Sequence, residues 1–199
     1  MNIAFFDFDG TLTKKDGYTD FIRFVNPLWK FTAGKLVFAP FLTAYKMGAL
    51  SGVGLRRAVS YYGFRGLEIA FLEERGHSFA DHQIVRLLNP ETMKKLENHL
   101  TSGDKVCIVS ASLSYYLEPW SKKLGVDLLC SRLKSKGGVC TGFIDGKDCA
   151  GPEKARRIRN AYDLSGFSTI FAYGNSREDF AMLNLADEAF LNLKRYQPL

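Results

Sequence analysis

Cysteine is scarce in this 199-residue chain. The four present, Cys107, Cys130, Cys140 and Cys149, are too few for a disulfide scaffold, and none are spaced as C-x-x-C. Histidine is scarcer still, at His77, His82 and His99, so no ligand set for a structural zinc is visible. Reduced thiols and a cytoplasmic setting are therefore expected. No apolar run approaches the roughly twenty residues of a spanning helix. The best candidate, Leu36 to Tyr45, is fenced by Lys35 and Lys46. The apolar start Ile3-Ala4-Phe5-Phe6 runs straight into Asp7, without the basic region or cleavage site of a secretory leader. Repeats and low-complexity tracts are absent. Acid is missing from one long stretch: Phe21 to Leu67 has no Asp or Glu but holds Arg23, Lys30, Lys35, Lys46, Arg56, Arg57 and Arg65. The net charge of the whole chain is +6, so outside this basic block it is close to neutral.

What remains is an ordinary globular composition, 46% hydrophobic and 24% charged, long enough for one core with a small appended layer. Asn2–Phe6 reads as a buried strand that stops abruptly at Asp7. From about Tyr18 to Leu88 the apolar spacing is helical, with breaks expected at Asn26-Pro27, Pro40, Gly48, Gly52-Val53-Gly54 and Gly63. Asn89-Pro90-Glu91 opens a helix with a capping side chain, a proline in the first turn and an acid at the positive end. Further elements are expected as a strand at Lys105–Val109, a helix near Leu113–Leu124, a hairpin turning at Lys136-Gly137-Gly138 and a basic helix from Gly151 to about Tyr162. A strand at Ser168–Tyr173, a helix at Glu178–Leu185 and a strand at Glu188–Leu193 follow. This alternation predicts an α/β fold: a Rossmann-like, mostly parallel sheet with helices on both faces, plus a helical cap inserted after the first strand. Ligands of such sheets bind where the strands end.

Polar residues gather at those ends. Asp7-Phe8-Asp9-Gly10-Thr11 follows the first strand, and a chain turning at Gly10 can bring both carboxylates to one pocket. Ser110-Ala111-Ser112 follows the second strand. Lys154 occupies the first turn of a helix, where the helix dipole disfavours a cation unless it serves an anion. Gly174-Asn175-Ser176-Arg177-Glu178-Asp179 ends the strand before it.

Together these four segments resemble the four motifs of the haloacid dehalogenase superfamily, in the right order along almost the whole chain. The helical insertion resembles the cap of the phosphoserine-phosphatase-like branch, subfamily IB. Thr141-Gly142-Phe143-Ile144-Asp145-Gly146, Gly151-Pro152-Glu153-Lys154 and Tyr173-Gly174-Asn175-Ser176 are most similar to a bacterial subgroup that includes a phosphatidylglycerophosphate phosphatase. The resemblance implies a core of residues 1–15 and 89–199, with a cap of residues 16–88. It also implies a Mg²⁺-dependent phosphomonoesterase in which Asp7 is the nucleophile and Asp9 the general acid and base. Thr11, Ser110, Ala111 and Lys154 would bind phosphate. Asp7, the Asp9 carbonyl and residue 175 would hold the metal, with Asp179 as an auxiliary. Asn175 stands where the family usually has Asp, which predicts weaker metal binding; an inactive binding protein is the alternative of another class.

Within the cap, Asp16 sits where phosphoserine phosphatases place an amine-reading Glu, and Arg56 or Arg57 could play their carboxylate-binding Arg. Solvated side chains are the favoured expectation for all three. Trp29, Phe31, Phe38, Phe41 and Tyr45, interleaved with Lys30, Lys35 and Lys46, suit the surface of an anionic membrane. A lipid phosphate at the inner face of the membrane, contacted through residues 21–67, is thus the first expectation for substrate. A small phosphate such as phosphoserine is second. Nucleic acid ranks last, because no RRM or KH signature accompanies the basic block.

Overall fold

The computed structural model describes residues 1–50 and 52–197, without the side chain of Lys46. Strand β1, Ile3–Phe6, is buried at all four positions. An apolar run covered on both faces belongs in the middle of a parallel sheet, and that is where β1 lies. Five helices follow: α1 Gly17–Val25, α2 Leu28–Lys46, α3 Gly52–Phe64, α4 Ile69–His82 and the short α5 Ile84–Leu87. The chain then returns through α6 Pro90–Thr101, β2 Lys105–Leu113, α7 Ser114–Leu124 and β3 Asp127–Ser131. The hairpin β4 Leu133–Lys136 and β5 Val139–Ile144 leads to α8 Pro152–Ala161, β6 Ile170–Gly174, α9 Phe180–Leu183, β7 Glu188–Leu191 and β8 Lys194–Tyr196.

Six strands form one sheet in the order β3-β2-β1-β6-β7-β8, parallel except for β8. Ile3 is in register with Lys105 on one side and Ile170 on the other. Because side chains alternate along a strand, Ala4 and Phe6 enter one core while Ile3 and Phe5 enter another. The first core reaches Phe8, Phe21, Phe64, Phe79 and Tyr116 under the inserted helices. The second is closed by Ile158, Met182 and Leu183.

The structure corrects several local expectations. Helix α2 runs unbroken through Pro40, and Gly52 to Gly54 open a helix rather than interrupt one. The second strand extends past Val109 to Leu113, with a register irregularity between Ser110 and Leu113. Strands β3 and β8 had no clear periodic signal. The helix expected at Glu178–Leu185 is a 3₁₀ turn over Arg177–Asp179 followed by the single turn of α9.

The inserted helices are tied to the rest of the chain at defined places. Beyond α3, main-chain bonds from Gly66 N–H to the Cys140 carbonyl (2.9 Å), Cys140 N–H to Leu67 (2.8 Å) and Ile69 N–H to Gly138 (2.9 Å) join the segment to the β4–β5 hairpin. Helix α2 rests on α3, with the Tyr62 hydroxyl donating to the Lys30 carbonyl and the Phe38 ring meeting Tyr62 edge-on. Its remaining surface is unusually apolar and open: Leu28, Trp29, Leu36, Val37 and Phe41 are exposed, Trp29 by 72% and Leu36 by 75%. The expected aromatic and basic face is only partly formed. Phe38 is half-buried, Lys30 lies over the Tyr62 ring and Lys35 over Phe31; the Lys46 side chain lies outside the described residues. No helix among the described residues is long and apolar enough to cross a membrane.

Candidate active site

At the carboxyl end of β1 the chain makes a tight irregular turn over Phe8–Leu12. Gly10 has φ 78°, and a Cβ there would lie 1.9 Å from the Asn175 amide nitrogen, so glycine is required twice over. The turn folds Asp7 and Asp9 into one cavity of about 330 Å³. From the neighbouring strands, β2 contributes Ser110, Ala111 and Ser112 to its wall; after β6 come Asn175, Ser176, Glu178 and Asp179. Helix α8 contributes Lys154, and the inserted helices contribute Asp16, Tyr18, Leu42, Tyr45, Leu55, Arg56 and Val59.

Lys154 is the buried hub. Its ammonium donates to Asp7 Oδ1 at 2.6 Å and Asp179 Oδ1 at 2.7 Å, with side chains at most 8% exposed. Burial works to lower the Lys154 pKa, but the two carboxylates outweigh it and hold the ammonium above its ordinary range. The Thr11 hydroxyl donates to the other Asp7 oxygen at 2.9 Å. Burial pushes the Asp7 carboxyl up to about 6, with Lys154 opposing and Asp179 adding to the rise. Asp179 is fully engaged: its second oxygen accepts the N–H groups of Asn175 and Ser176 and the Ser176 hydroxyl. Gly174 permits this, since a Cβ there would meet Asp179 Cβ at 2.5 Å.

Asp9 lies in a different environment. Gly17 N–H, at the start of α1, donates to Oδ1 at 2.7 Å, and the Ser112 hydroxyl donates to Oδ2. Burial first, then the nearby negative charges of Asp16 and Asp7, raise its carboxyl to about 8. Both carboxyls are thus raised, Asp9 further than Asp7. Two adjacent carboxyls with separated proton affinities can divide nucleophile and acid roles between them.

The candidates from the inserted helices separate clearly. Asp16 caps α1, accepting from Tyr18 N–H at 3.0 Å and the Thr19 hydroxyl at 2.5 Å, while it lines the cavity. Arg57 is exposed and lies outside the cavity wall. Arg56 is not solvated: its guanidinium bonds Asp148 at 2.6 Å and Glu178 at 2.7 Å, which hold it above the ordinary arginine range against the cost of burial. Sequence reasoning missed Asp148, Glu178, Ser112, Tyr116 and the apolar wall. The available signals were faint: Glu178 lies inside the Asn175–Asp179 segment, and Ser112 two residues past Ser110.

Among the described residues no cluster of three His, Cys, Asp or Glu side chains is placed to hold a metal by itself. The oxygen donors around the Gly10 turn nevertheless suit Mg²⁺: the Asp7 carboxylate, the Asp9 carbonyl and the Asn175 side-chain amide, which packs against that turn. Only Asp7 brings a charge to this set.

Comparison with known proteins agrees with this layout. A family model described as haloacid dehalogenase-like hydrolase matches residues 4–184. Protein CicA of Caulobacter vibrioides is 34% identical over 196 residues, covering 97% of this chain and 86% of that protein. A solved protein of unknown function from Bordetella pertussis Tohama I superposes with TM-score 0.82 at 20% identity, over 96% of this chain and 89% of that one. A structure described as a phospho-aspartyl intermediate analogue of phosphoserine phosphatase does so with TM-score 0.70 at 18% identity, over 95% and 85%. These last two likenesses are ones of fold.

Proposed function

The chain belongs to the haloacid dehalogenase-like hydrolases, and from that premise we propose that it is a Mg²⁺-dependent phosphomonoesterase acting on a phosphate ester with an apolar tail. The observation that carries the reaction class is the pairing of two carboxyls in one cavity: Asp7, held by Lys154 and Thr11, and Asp9, held by Gly17 and Ser112 and raised further by its surroundings. The description of one fold neighbour as a phospho-aspartyl analogue supports the same chemistry.

In this reading an Asp7 oxygen attacks phosphorus in line with the ester oxygen, and the P–O ester bond breaks as the Asp7–phosphorus bond forms. Asp9 gives its proton to the departing alkoxide. Water then attacks the phosphorus, Asp9 takes the water's proton, and Asp7 is freed with release of phosphate. Lys154 neutralises charge around Asp7, Thr11 donates its hydroxyl proton to Asp7 rather than to phosphate, and Ser110 and the main chain at Ala111 hold the phosphate oxygens. Mg²⁺, held by Asp7, the Asp9 carbonyl and Asn175, would neutralise phosphate charge. Asp179 acts on the site by orienting Lys154 and the Asn175–Ser176 main chain. Residues 16–88 form the cap over residues 1–15 and 89–199.

Two features support an apolar substrate over phosphoserine. The guanidinium that could read an amino-acid carboxylate is already committed to Asp148 and Glu178. And the open apolar surface of α2 continues through Leu42 and Tyr45 into the cavity, where Leu55 and Val59 join it. A lipid phosphate docked beside α2 would thus reach Asp7 along an apolar path, with the surrounding cations favouring an anionic membrane surface. This reading agrees with the resemblance to the subgroup that includes a phosphatidylglycerophosphate phosphatase. The test is phosphate release with Mg²⁺ from a lysophosphatidate in mixed micelles and from O-phosphoserine. The lipid should be preferred, and Asp7→Asn should abolish turnover of both. Preference for phosphoserine would overturn the substrate class, and an active Asp7→Asn variant would overturn the covalent mechanism.

A further inference from the structure

From Asp9 a short line of buried hydroxyls runs from the cavity wall into the protein. The Tyr116 hydroxyl donates to Ser112 Oγ at 2.6 Å, and Ser112 Oγ in turn donates to Asp9 Oδ2. Both side chains belong to residues with no solvent exposure. The Tyr116 ring is fixed among Phe21, Phe79 and Phe8, with centroids 4.8, 5.2 and 6.3 Å away. The main chain of Ser112 also takes part: its N–H donates to Ser110 Oγ at 3.0 Å.

The direction of these bonds follows from counting protons. A buried phenol retains its proton and must donate it; Tyr116 gives it to Ser112. Ser112 has a single hydroxyl proton, which is then free to go to Asp9 Oδ2. Gly17 N–H occupies the corresponding position on Oδ1. Each Asp9 oxygen thus receives a fixed donor, so a proton carried by Asp9 must occupy one of the remaining lone pairs. The N–H bond onto Ser110 has a parallel effect, since it leaves the Ser110 hydroxyl proton available to a phosphate oxygen.

We propose that Ser112 and Tyr116 are positioning residues that turn the Asp9 proton toward the leaving oxygen of the substrate. The inference rests on the reading of Asp9 as the general acid. Its consequence is selective: orientation of that proton matters for a basic alkoxide leaving group and little for a weakly basic phenolate.

The experiment compares kcat/KM, which reports the phosphorylation half-reaction, for an alkyl phosphate and para-nitrophenyl phosphate. The proteins are wild type, Tyr116→Phe, Ser112→Ala, Ser112→Thr and Asp9→Asn, all with Mg²⁺. Tyr116→Phe keeps the ring packing and serves if Ser112→Ala does not fold. Tyr116→Phe and Ser112→Ala should lower the alkyl value by roughly tenfold more than the aryl value, part of the about 10²-fold that general acids supply. Ser112→Thr, which retains the hydroxyl, should restore the wild-type ratio. Equal losses on both esters, or an unchanged ratio in Tyr116→Phe, would overturn the proposal. Asp9→Asn separates the two readings: a strong alkyl-selective loss there with none in the relay variants refutes the relay alone. Equal loss on both esters in Asp9→Asn refutes the acid role itself.

Discussion

Replacing Lys154 with methionine should destabilise the metal-free protein more than most single substitutions would. The change leaves Asp7 and Asp179 facing each other without the ammonium that now bonds both, at 2.6 and 2.7 Å. All three groups are buried, so water cannot screen the remaining carboxylates. Breaking a buried ion pair from one side costs about 3–5 kcal/mol, and for a chain of this size each kcal/mol moves the thermal midpoint by about 2–4 °C. Lys154→Met should therefore lower the midpoint by roughly 6–20 °C at pH 8. The pH dependence follows from Asp7, whose native carboxyl at about 6 lies above its unfolded value of 3.8. The native state then holds the extra proton between those values, so Asp7 subtracts stability as pH rises through that window. Lys154 keeps the window short; without it the native carboxyl rises further and the loss extends to higher pH. The deficit of the variant should be small near pH 4 and complete by pH 8. Urea unfolding across this range, with chelator present, measures it. Adding Asp179→Asn to Lys154→Met removes one orphaned charge and should recover at least about 1 kcal/mol. A deficit below about 1 kcal/mol at pH 8, or one independent of pH, would refute the electrostatic account.

Two other outcomes are expected. Asn175→Asp should lower the Mg²⁺ concentration giving half-maximal activity, because it adds a charged oxygen donor of the same shape; an unchanged titration would place residue 175 off the metal. Vesicle co-sedimentation tests α2: Trp29→Ser with Leu36→Ser removes two exposed apolar side chains, each contributing about 1.5 kcal/mol or more when buried. Partitioning onto anionic vesicles should fall by roughly a hundredfold, and equal binding by the double variant would exclude α2 as the contact.

Much of the site could be read from the chain because its pieces sit at strand ends, where sequence pattern and chemistry coincide. The apolar run Ile3–Phe6 ending at Asp7 announces a central strand and the carboxylates beyond it, and Gly10 announces the turn between them. Ser110, Lys154 and Asn175 are similarly placed by the strand or helix beside them. The missed parts depend on contacts distant in sequence. Nothing near Arg56 signals that Asp148 and Glu178 will meet it, so it read as a solvated cation or a substrate contact. Tyr116 carries no signal of its own within the helix near Leu113–Leu124, since its hydroxyl acquires meaning only through Ser112 and Asp9. Pro40 read as a break because helix interiors disfavour proline, yet it lies on an exposed part of α2. The short β3 gains its order from pairing with β2 rather than from an alternating pattern of its own.

The position of β1 also bears on how the protein acquires its shape. Strand β1 is hydrogen-bonded between β2 and β6, whose partners for Ile3 are Lys105 and Ile170. Both closures enclose loops of about a hundred residues or more, and such distant pairings slow folding. Helices α1 to α4 can form from local contacts as they emerge, whereas β1 must wait for most of the chain. During synthesis an apolar strand therefore remains without its edges, the kind of segment that recruits chaperones or pairs with a neighbouring chain. Because Asp7 follows that strand directly, Asp7 and Lys154 meet only when the sheet closes. Truncated or nicked chains that lose β6 should then have no partial activity, and gain of phosphatase activity during refolding should track closure of the sheet rather than helix formation.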